Sequence, residues 1–516
     1  MGTGGERARP GTGKPSGLLV PILWAAVSLS IASIAGLIFQ VSGESPFLTC
    51  AADAGQAGLA WIGSEVEPWV GVNPVDPRNV VGTWQQDRWS NGSARGLSVG
   101  VSMDGGETWR SAPLPGLTRC TGGIFRRATD PWLSFGPDGD LYHMTLATDG
   151  GRSAMLVQES IDGGFTWSDP LTLIDDVNPF FNDKNTITAD PTDSRYIYAT
   201  WDRLDFALRT GPAVLSRSVD GGESFEPVTV IHDPGPGGQT IGNQIVVLPD
   251  GTVLDFFTEI LFFPRRSTTI ALSRSFDKGE TWDEPIAVSS ILLGLPVRDP
   301  DRRTGVRAAQ LLFDVAVDPA DGALYVVWQD GRFASFLRDS IALSVSTDGG
   351  VTWSEPVRID TTPDDLPDLN RQAFLPSVHV NEKGRAAVTF YDFRFNGLEP
   401  EALTDHWAIT CNKNEDCADP ENWAGEIRLT DRSFDILQAP FANGLFIGDY
   451  VGLASIGDEF LSLFSVTHDS DPSSVFARRF RFHTAARTRT RARAGAPDSQ
   501  EPFSAGSSAR WPVLAH

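Results

Sequence analysis

Through most of the chain, short runs of alternating apolar and polar residues are interrupted every few positions by Gly, Pro, Asn or Asp. Alternation with period two is the mark of a strand, and punctuation this frequent predicts tight turns. Leu97, Val99 and Val101 form one such run, and Leu343 and Val345 another; each leads into an Asp-Gly turn. The runs gather in threes. The predicted strands are 69–73, 80–85 and 97–103; 132–135, 141–146 and 155–160; 186–189, 196–201 and 213–218. The next groups are 244–248, 252–258 and 268–273; 312–317, 324–328 and 341–346; 377–380, 385–391 and 406–410. A last set, 450–455, 459–466 and 475–482, lacks an outer strand, which the segment at 59–62 is expected to supply.

What closes each group is one repeated sentence. It reads Ser102-Met103-Asp104-Gly105-Gly106-Glu107-Thr108-Trp109, then Ser160-Ile161-Asp162-Gly163-Gly164-Phe165-Thr166-Trp167, then Ser218-Val219-Asp220-Gly221-Gly222-Glu223-Ser224-Phe225. Two further copies are Ser275-Phe276-Asp277-Lys278-Gly279-Glu280-Thr281-Trp282 and Ser346-Thr347-Asp348-Gly349-Gly350-Val351-Thr352-Trp353. Successive Asp residues are 58, 58, 57 and 71 positions apart, and a degenerate sixth copy ends at Trp423. The physics is that of a hairpin corner. Asp accepts backbone N–H groups within the turn, Gly supplies the positive φ, and the aromatic ring fills the space between neighbouring sheets. Asp104, Asp162, Asp220, Asp277 and Asp348 are therefore expected to be structural.

This sentence resembles the Asp-box, or BNR, repeat of the sialidase-like β-propellers, over about residues 58–483. The resemblance implies an all-β fold, a β-propeller of four-stranded antiparallel blades. Seven blades fit the strand groups, with six, as in the sialidases, the alternative; units of this size suit radial repetition. In such a blade the boxes occupy one rim. The loops between second and third strands, with the links between blades, occupy the other, where function is expected. That second rim carries Asp87-Arg88, Asp149 with Arg152, Asp202-Arg203, Asp330 with Arg332, and Asp392 with Arg394. Each pair is expected to brace its own loop.

Residues that enter the innermost strands point at the channel mouth: Glu67, Arg127 with Asp130, Asp183 with Lys184, Asn243-Gln244, Arg307 with Gln310, Arg371-Gln372 and Asp449-Tyr450. The family holds a sugar carboxylate with three arginines and uses a Tyr nucleophile, an activating Glu and an Asp acid/base. By position, the resemblance assigns the Tyr to Tyr450 and the arginine triad to Arg127, Arg307 and Arg371. It leaves Asp449, Glu67 and Asp130 as the acidic candidates, with Arg394 and Asp183 as further substrate contacts. The family's Arg-Ile-Pro segment has no counterpart; Glu67-Pro68-Trp69 stands in its place. The implied activity is a glycan-directed exo-glycosidase, and the implied partner a glycan or glycoconjugate. Alternatives are a non-catalytic propeller that binds glycan or protein, and a lyase or metal-dependent variant. No cofactor is required; in the last alternative Glu67, Asp130, Asp183 and Asp449 would hold Ca²⁺, which favours several oxygen ligands.

The ends differ from the middle. Residues 1–17 are a basic N-terminus with Arg7, Arg9 and Lys14, and 18–41 are uncharged and apolar enough for a membrane-spanning helix. A cleaved secretory signal is the alternative, with Val41-Ser42-Gly43 as its cleavage site. Either way the propeller lies outside the cytoplasm, anchored in the cell membrane or secreted. Residues 42–57 read as a linker. Residues 484–516, with Arg487, Arg489, Arg491 and Arg493, read as a disordered basic tail.

Charge and cysteine content refine this picture. The chain has 516 residues and a formal charge of −24, and the stretch between the ends carries net −29. Such a surface excludes nucleic-acid binding and repels anions unless arginines gather locally. A monomer is expected. Four Cys are too few to hold a fold of this size. Export permits disulfides, with a local Cys411–Cys417 bridge the sharper expectation and Cys50–Cys120 following by elimination.

Overall fold

The computed structural model describes Met1 and residues 35–482, apart from 53–54, 264, 302, 398–399 and 469–470. Most of the expected membrane segment (18–34) and the basic tail lie outside these. Among the described residues, helix is limited to single short turns, and no helix is long and apolar enough to cross a membrane.

Strand follows strand as an antiparallel meander. The first group is Glu65–Val72, Val80–Arg88, Ala94–Ser102 and Arg110–Pro113. Among the described residues, further groups of the same kind are opened by Arg127–Phe135, Phe180–Ala189, Gly238–Val247, Phe313–Val317, Ala373–Val380 and Gly452–Ile456. The first two groups are joined at Ala94/Ala128, and the third and fourth through Thr210–Gly211.

The opening strands are tied in cyclic order by hydrogen bonds, all but the last made by side chains. Trp69 Nε1 donates to Leu133 O, Asn185 Nδ2 to Asp130 O, Thr186 Oγ1 to Asn243 O and Gln244 Nε2 to Phe313 O. Ser377 Oγ then donates to Asp314, and His379 shares a hydrogen bond with Ser455. Glu67 N donates to Ile447 O and closes the circuit. The fold is mostly β and propeller-like.

Central strands depart from simple alternation for a physical reason. Every residue of Val80–Arg88 and Ala94–Ser102 is buried, because a sheet within the ring is covered on both faces. Trp84, Trp201 and Trp328 occupy equivalent second strands, fully buried, with their indole N–H donating to Gln86, Asn182 and Asp330. Each ring thus adds a large apolar area without an unsatisfied donor.

The five boxes share the hydrogen bonds that the Asp makes with the Ser hydroxyl two residues before it and with the N–H and hydroxyl of the Thr or Ser four residues after it. In the first, Asp104 Oδ1 accepts from the N–H groups of Glu107 and Thr108 at 3.0 and 2.8 Å, and Thr108 Oγ1 donates to Oδ2 at 2.6 Å. Trp109 Nε1 donates to Gly106 O. Slight burial raises the Asp104 carboxyl, but its hydroxyl and amide donors outweigh this and hold it at about 2. In the fourth box Lys278 replaces the first Gly yet keeps a φ of 61°, and its Nζ lies 2.8 Å from buried Asp190. At the degenerate sixth turn Cys411–Cys417 takes the place of the box, and Trp423 Nε1 donates to Cys417 O. Cys50–Cys120 is also formed.

The closing strand of the last group is Ala35–Gln40, not the expected 59–62. It pairs antiparallel with Asp471–Phe480, Ile38 opposite Arg478 and Gln40 opposite Phe476. Val41 N and Ser42 Oγ extend the pairing to Val475. The apolar run therefore ends as a strand, where a helix to residue 41 was expected. Its apolar residues suit either environment, and a free sheet edge supplied the hydrogen-bond partners. Residues 59–62 instead form a loop against the first group, with Trp61 N donating to Arg88 O.

Candidate functional site

Near its start, each opening strand, or the segment leading into it, passes through a left-handed residue: Glu67, Asp130, Lys184, Gly242, Ala309, Leu375 and Gly448, with φ between 47° and 141°. In five of these groups the strand register slips at this point. A β-bulge re-aims side chains, and non-glycine residues in this region are strained. In the first three groups the re-aimed side chains are charged, and they converge.

Lys184 is the hub. Its Nζ lies 2.6 Å from Asp449 Oδ2 and 3.6 Å from both Glu67 Oε1 and Asp130 Oδ2. Arg307 forks onto Asp449, with Nε 3.0 Å from Oδ1 and Nη2 closer still to Oδ2. Gln85 donates to Glu67 and accepts from Arg88, whose guanidinium lies over the Phe446 ring beside that of Arg307.

Protonation is divided within the cluster. Burial raises Glu67 to about 8 against the opposing pull of Lys184, so it holds a proton at neutral pH. Burial also pushes Asp449 up, but Lys184 and Arg307 outweigh it and hold the carboxylate well below its usual range. Asp183, buried beside Asp130, rises to about 6. Burial would lower Lys184, yet Asp130, Asp449 and Glu67 raise it well above normal. Glu67 Oε1 and Asp130 Oδ2 are buried without a hydrogen-bond partner. A cavity of about 40 Å³ adjoins the cluster, lined in part by Asp130, Lys184, Asn185, Asp449 and Tyr450. That is space for a few waters or for one ligand group.

Tyr450 faces the same cavity but is fully engaged. Its hydroxyl donates to Pro131 O at 3.0 Å, and its ring packs edge-on against the stacked Trp69–Trp132 pair. Burial raises the phenol well above its ordinary value. Trp69 and Trp132 also line a wider opening of about 450 Å³ that continues along the channel to His379 and Glu382.

The sequence-derived candidates divide accordingly. Glu67, Asp130, Asp183, Asp449, Tyr450 and Arg307 come together. Arg127 does not join them: it donates to Gln56, Asn91, Gly92 O and Ala57 O and lies over the Trp89 ring. Arg371 bonds to Asp368 and Asp364 O, and Arg394 to Asp392 and Glu426 over Trp407. The three arginines of the expected triad thus engage three separate sets of partners. The position expected for Ca²⁺ holds the Lys184 ammonium. Among the described residues, no three His, Cys, Asp or Glu side chains are arranged to hold a metal ion.

Of the expected loop braces, Asp330–Arg332 and Asp392–Arg394 form. Asp149 instead meets Arg119 and Arg126, Arg152 meets Asp175, Arg203 meets Asp176, and Asp87 meets Arg95. Arg88 is thereby free to enter the central cluster, a role concealed by its place beside Asp87. The available signal was Gln85-Gln86, two polar residues at the end of an otherwise apolar strand.

No family model matches the chain, and no curated protein matches its sequence. Solved structures do align with it. A protein of unknown function from Dyadobacter fermentans is 14% identical, over 86% of this chain and 99% of the other, with a TM-score of 0.45. A Hadza microbial sialidase is 15% identical over 75% of this chain and 76% of its own, TM-score 0.44. An α-L-arabinanase of Penicillium chrysogenum, solved with arabinobiose, is 15% identical over 69% of this chain and 94% of its own, TM-score 0.46.

Proposed function

We propose that the chain is a seven-bladed Asp-box propeller outside the cytoplasm, directed at glycans, with its chemistry at the ring centre on the rim opposite the boxes. The observation that carries this reading is the convergence of the Glu67 and Asp449 carboxyl groups on the Lys184 ammonium at the ring centre, in surroundings that raise one and lower the other. Two carboxyl groups of opposite state are what glycoside cleavage needs, one to protonate the leaving oxygen and one to face the developing positive charge. Glu67 takes the first role and Asp449 the second, with Lys184 and Arg307 holding Asp449 ionised. Their common contact with Lys184 keeps the nearest oxygens of Glu67 and Asp449 within about 6 Å of each other. A panel of fluorogenic glycosides tests the reading: turnover should fall at least 100-fold in both Glu67→Gln and Asp449→Asn.

A second reading, a non-catalytic glycan-binding propeller, is favoured by the tyrosine and the arginines. Tyr450 is partly buried and bonded to a backbone carbonyl, and Arg127 and Arg371 lie apart from Arg307. Glycan binding without turnover, lost in Arg307→Gln, would select it.

The outer strand also bears on location. Cleavage at Gly43 would remove Ala35–Gln40 from the sheet it completes, which supports a retained anchor over a cleaved signal. Ala35 pairs with Phe480 at the box end of its sheet. An anchor before it would hold the box rim toward the cell membrane and present the central cluster outward.

A further inference from the structure

A pocket of about 420 Å³ opens on the rim opposite the boxes, between the first two strand groups, and shares no residue with the central cavity. Gln56, Asn91, Ser93, Arg126, Thr148 and Phe181 line it, among others. Its volume falls within the range of about 300–1,000 Å³ of small-molecule sites. One wall is residues 55–57, which precede the first strand group. Cys50–Cys120 ties that segment down on one side. On the other, Leu59 N donates to Ser90 Oγ and Ser90 N to Leu59 O. The loop between Val80–Arg88 and Ala94–Ser102 supplies Asn91 and Ser93, and Phe181 stands near the start of Phe180–Ala189.

We propose that this pocket binds an uncharged saccharide, as a site distinct from the cluster around Lys184 and independent of turnover there. Charge decides the class of ligand. Both cations at the pocket are already matched: Arg126 Nε lies 3.0 Å from Asp149 Oδ1, and Arg127 donates to two side-chain amide oxygens and to Gly92 O and Ala57 O. An anion would have to displace these contacts. What the pocket offers instead is neutral hydrogen bonding. Arg127 takes Gln56 Oε1 and Asn91 Oδ1, at 2.7 and 2.8 Å, which leaves each amide its NH₂ group to donate elsewhere. Gln56 Nε2 is buried and has no hydrogen-bond partner among the described residues. A buried donor in that state is unfavourable, and a ligand oxygen relieves it.

The remaining lining suits a sugar. The Ser93 and Thr148 hydroxyls, 3.4 Å apart, both donate and accept, as sugar hydroxyls do. Phe181 is partly buried and lines the pocket with an aromatic ring, an apolar surface for the C–H face of a sugar ring. Phe181 and Arg127 each precede a member of the central cluster, Lys184 and Asp130, by three residues. At about 3.3 Å per residue that separates the pocket from the cluster by about 10 Å, so the two bind independently.

Maltose, cellobiose, lactose and xylobiose titrated into the full chain, followed by ligand-observed NMR, test the site. At least one should bind. Gln56→Ala with Asn91→Ala should weaken that binding at least fivefold and Phe181→Ala at least tenfold, while Arg307→Gln at the centre leaves it in place. Failure of all four sugars to bind would overturn the site. Binding lost in Arg307→Gln but unchanged in the pocket variants would put the sugar at the centre, which overturns the pocket and leaves the glycan-directed reading standing. Glucuronate binding more tightly than glucose would overturn the preference for an uncharged ligand. Melting temperatures check folding, and the loop variants at Gln56 and Asn91 decide the matter even if Phe181→Ala unfolds.

Discussion

Lys184 Nζ lies 2.6 Å from Asp449 Oδ2, a contact between residues 265 positions apart that joins the third strand group to the last. Through this contact the ammonium offsets three buried carboxylates, those of Glu67, Asp130 and Asp449. Removing one partner of a buried ionic cluster leaves the others uncompensated, at a cost of about 3–5 kcal/mol. Lys184→Met is expected to lose that much stability at pH 7, and urea unfolding of the variant beside the unaltered chain measures the difference.

Glu67 sets a pH dependence of defined sign. Its carboxyl is raised from 4.5 to about 8 by burial, so between those values the folded state holds a proton that the unfolded state has released. Its contribution therefore makes stability fall as pH rises from about 4.5 to about 8. Glu67→Gln should flatten this slope in melting temperature. If Glu67 is the acid of a glycosidase, the alkaline limb of kcat/KM near pH 8 belongs to it, and residual turnover in Glu67→Gln should lack that limb.

The two disulfides should differ in weight. Cys50–Cys120 spans 70 residues and Cys411–Cys417 spans 6. In the chain-entropy account these loops correspond to about 4 and about 2 kcal/mol. Replacing Cys50 and Cys120 by Ser should lower the denaturation midpoint more than replacing Cys411 and Cys417. The reverse order would mean that strain or unfolded-state structure dominates.

Deletion at the N-terminus should show a sharp boundary. A chain beginning at residue 35 keeps the strand that pairs with Asp471–Phe480, whereas one beginning at residue 41 loses it and exposes a sheet edge. Loss of the partly buried Ile38 and Phe39 should cost about 3 kcal/mol or more. Melting temperatures of the two truncated proteins test this directly.

Much of the architecture was legible in one dimension because it is local. The box turns depend on Asp, Gly and Ser or Thr within eight residues, and their hydrogen bonds form within that span. The strand groups depend on period-two runs between such turns. The short Cys411–Cys417 bridge belongs to the same class, and so do the carboxyl-rich entries to the opening strands.

Position around the ring was decided only by tertiary structure. Whether Ala35–Gln40 is helix or strand depends on a free edge more than 400 residues away, because its apolar residues satisfy either environment. Which aspartate an arginine meets depends on which strands and loops lie beside it, so Arg152 left Asp149 for Asp175 on the adjacent strand and Arg371 joined Arg338 and Arg358. The central cluster follows the same logic. Sequence places Glu67, Asp130, Lys184 and Asp449 at the starts of different strands, but only ring closure brings them within ionic reach. Burial there then makes one carboxyl hold its proton while another stays ionised.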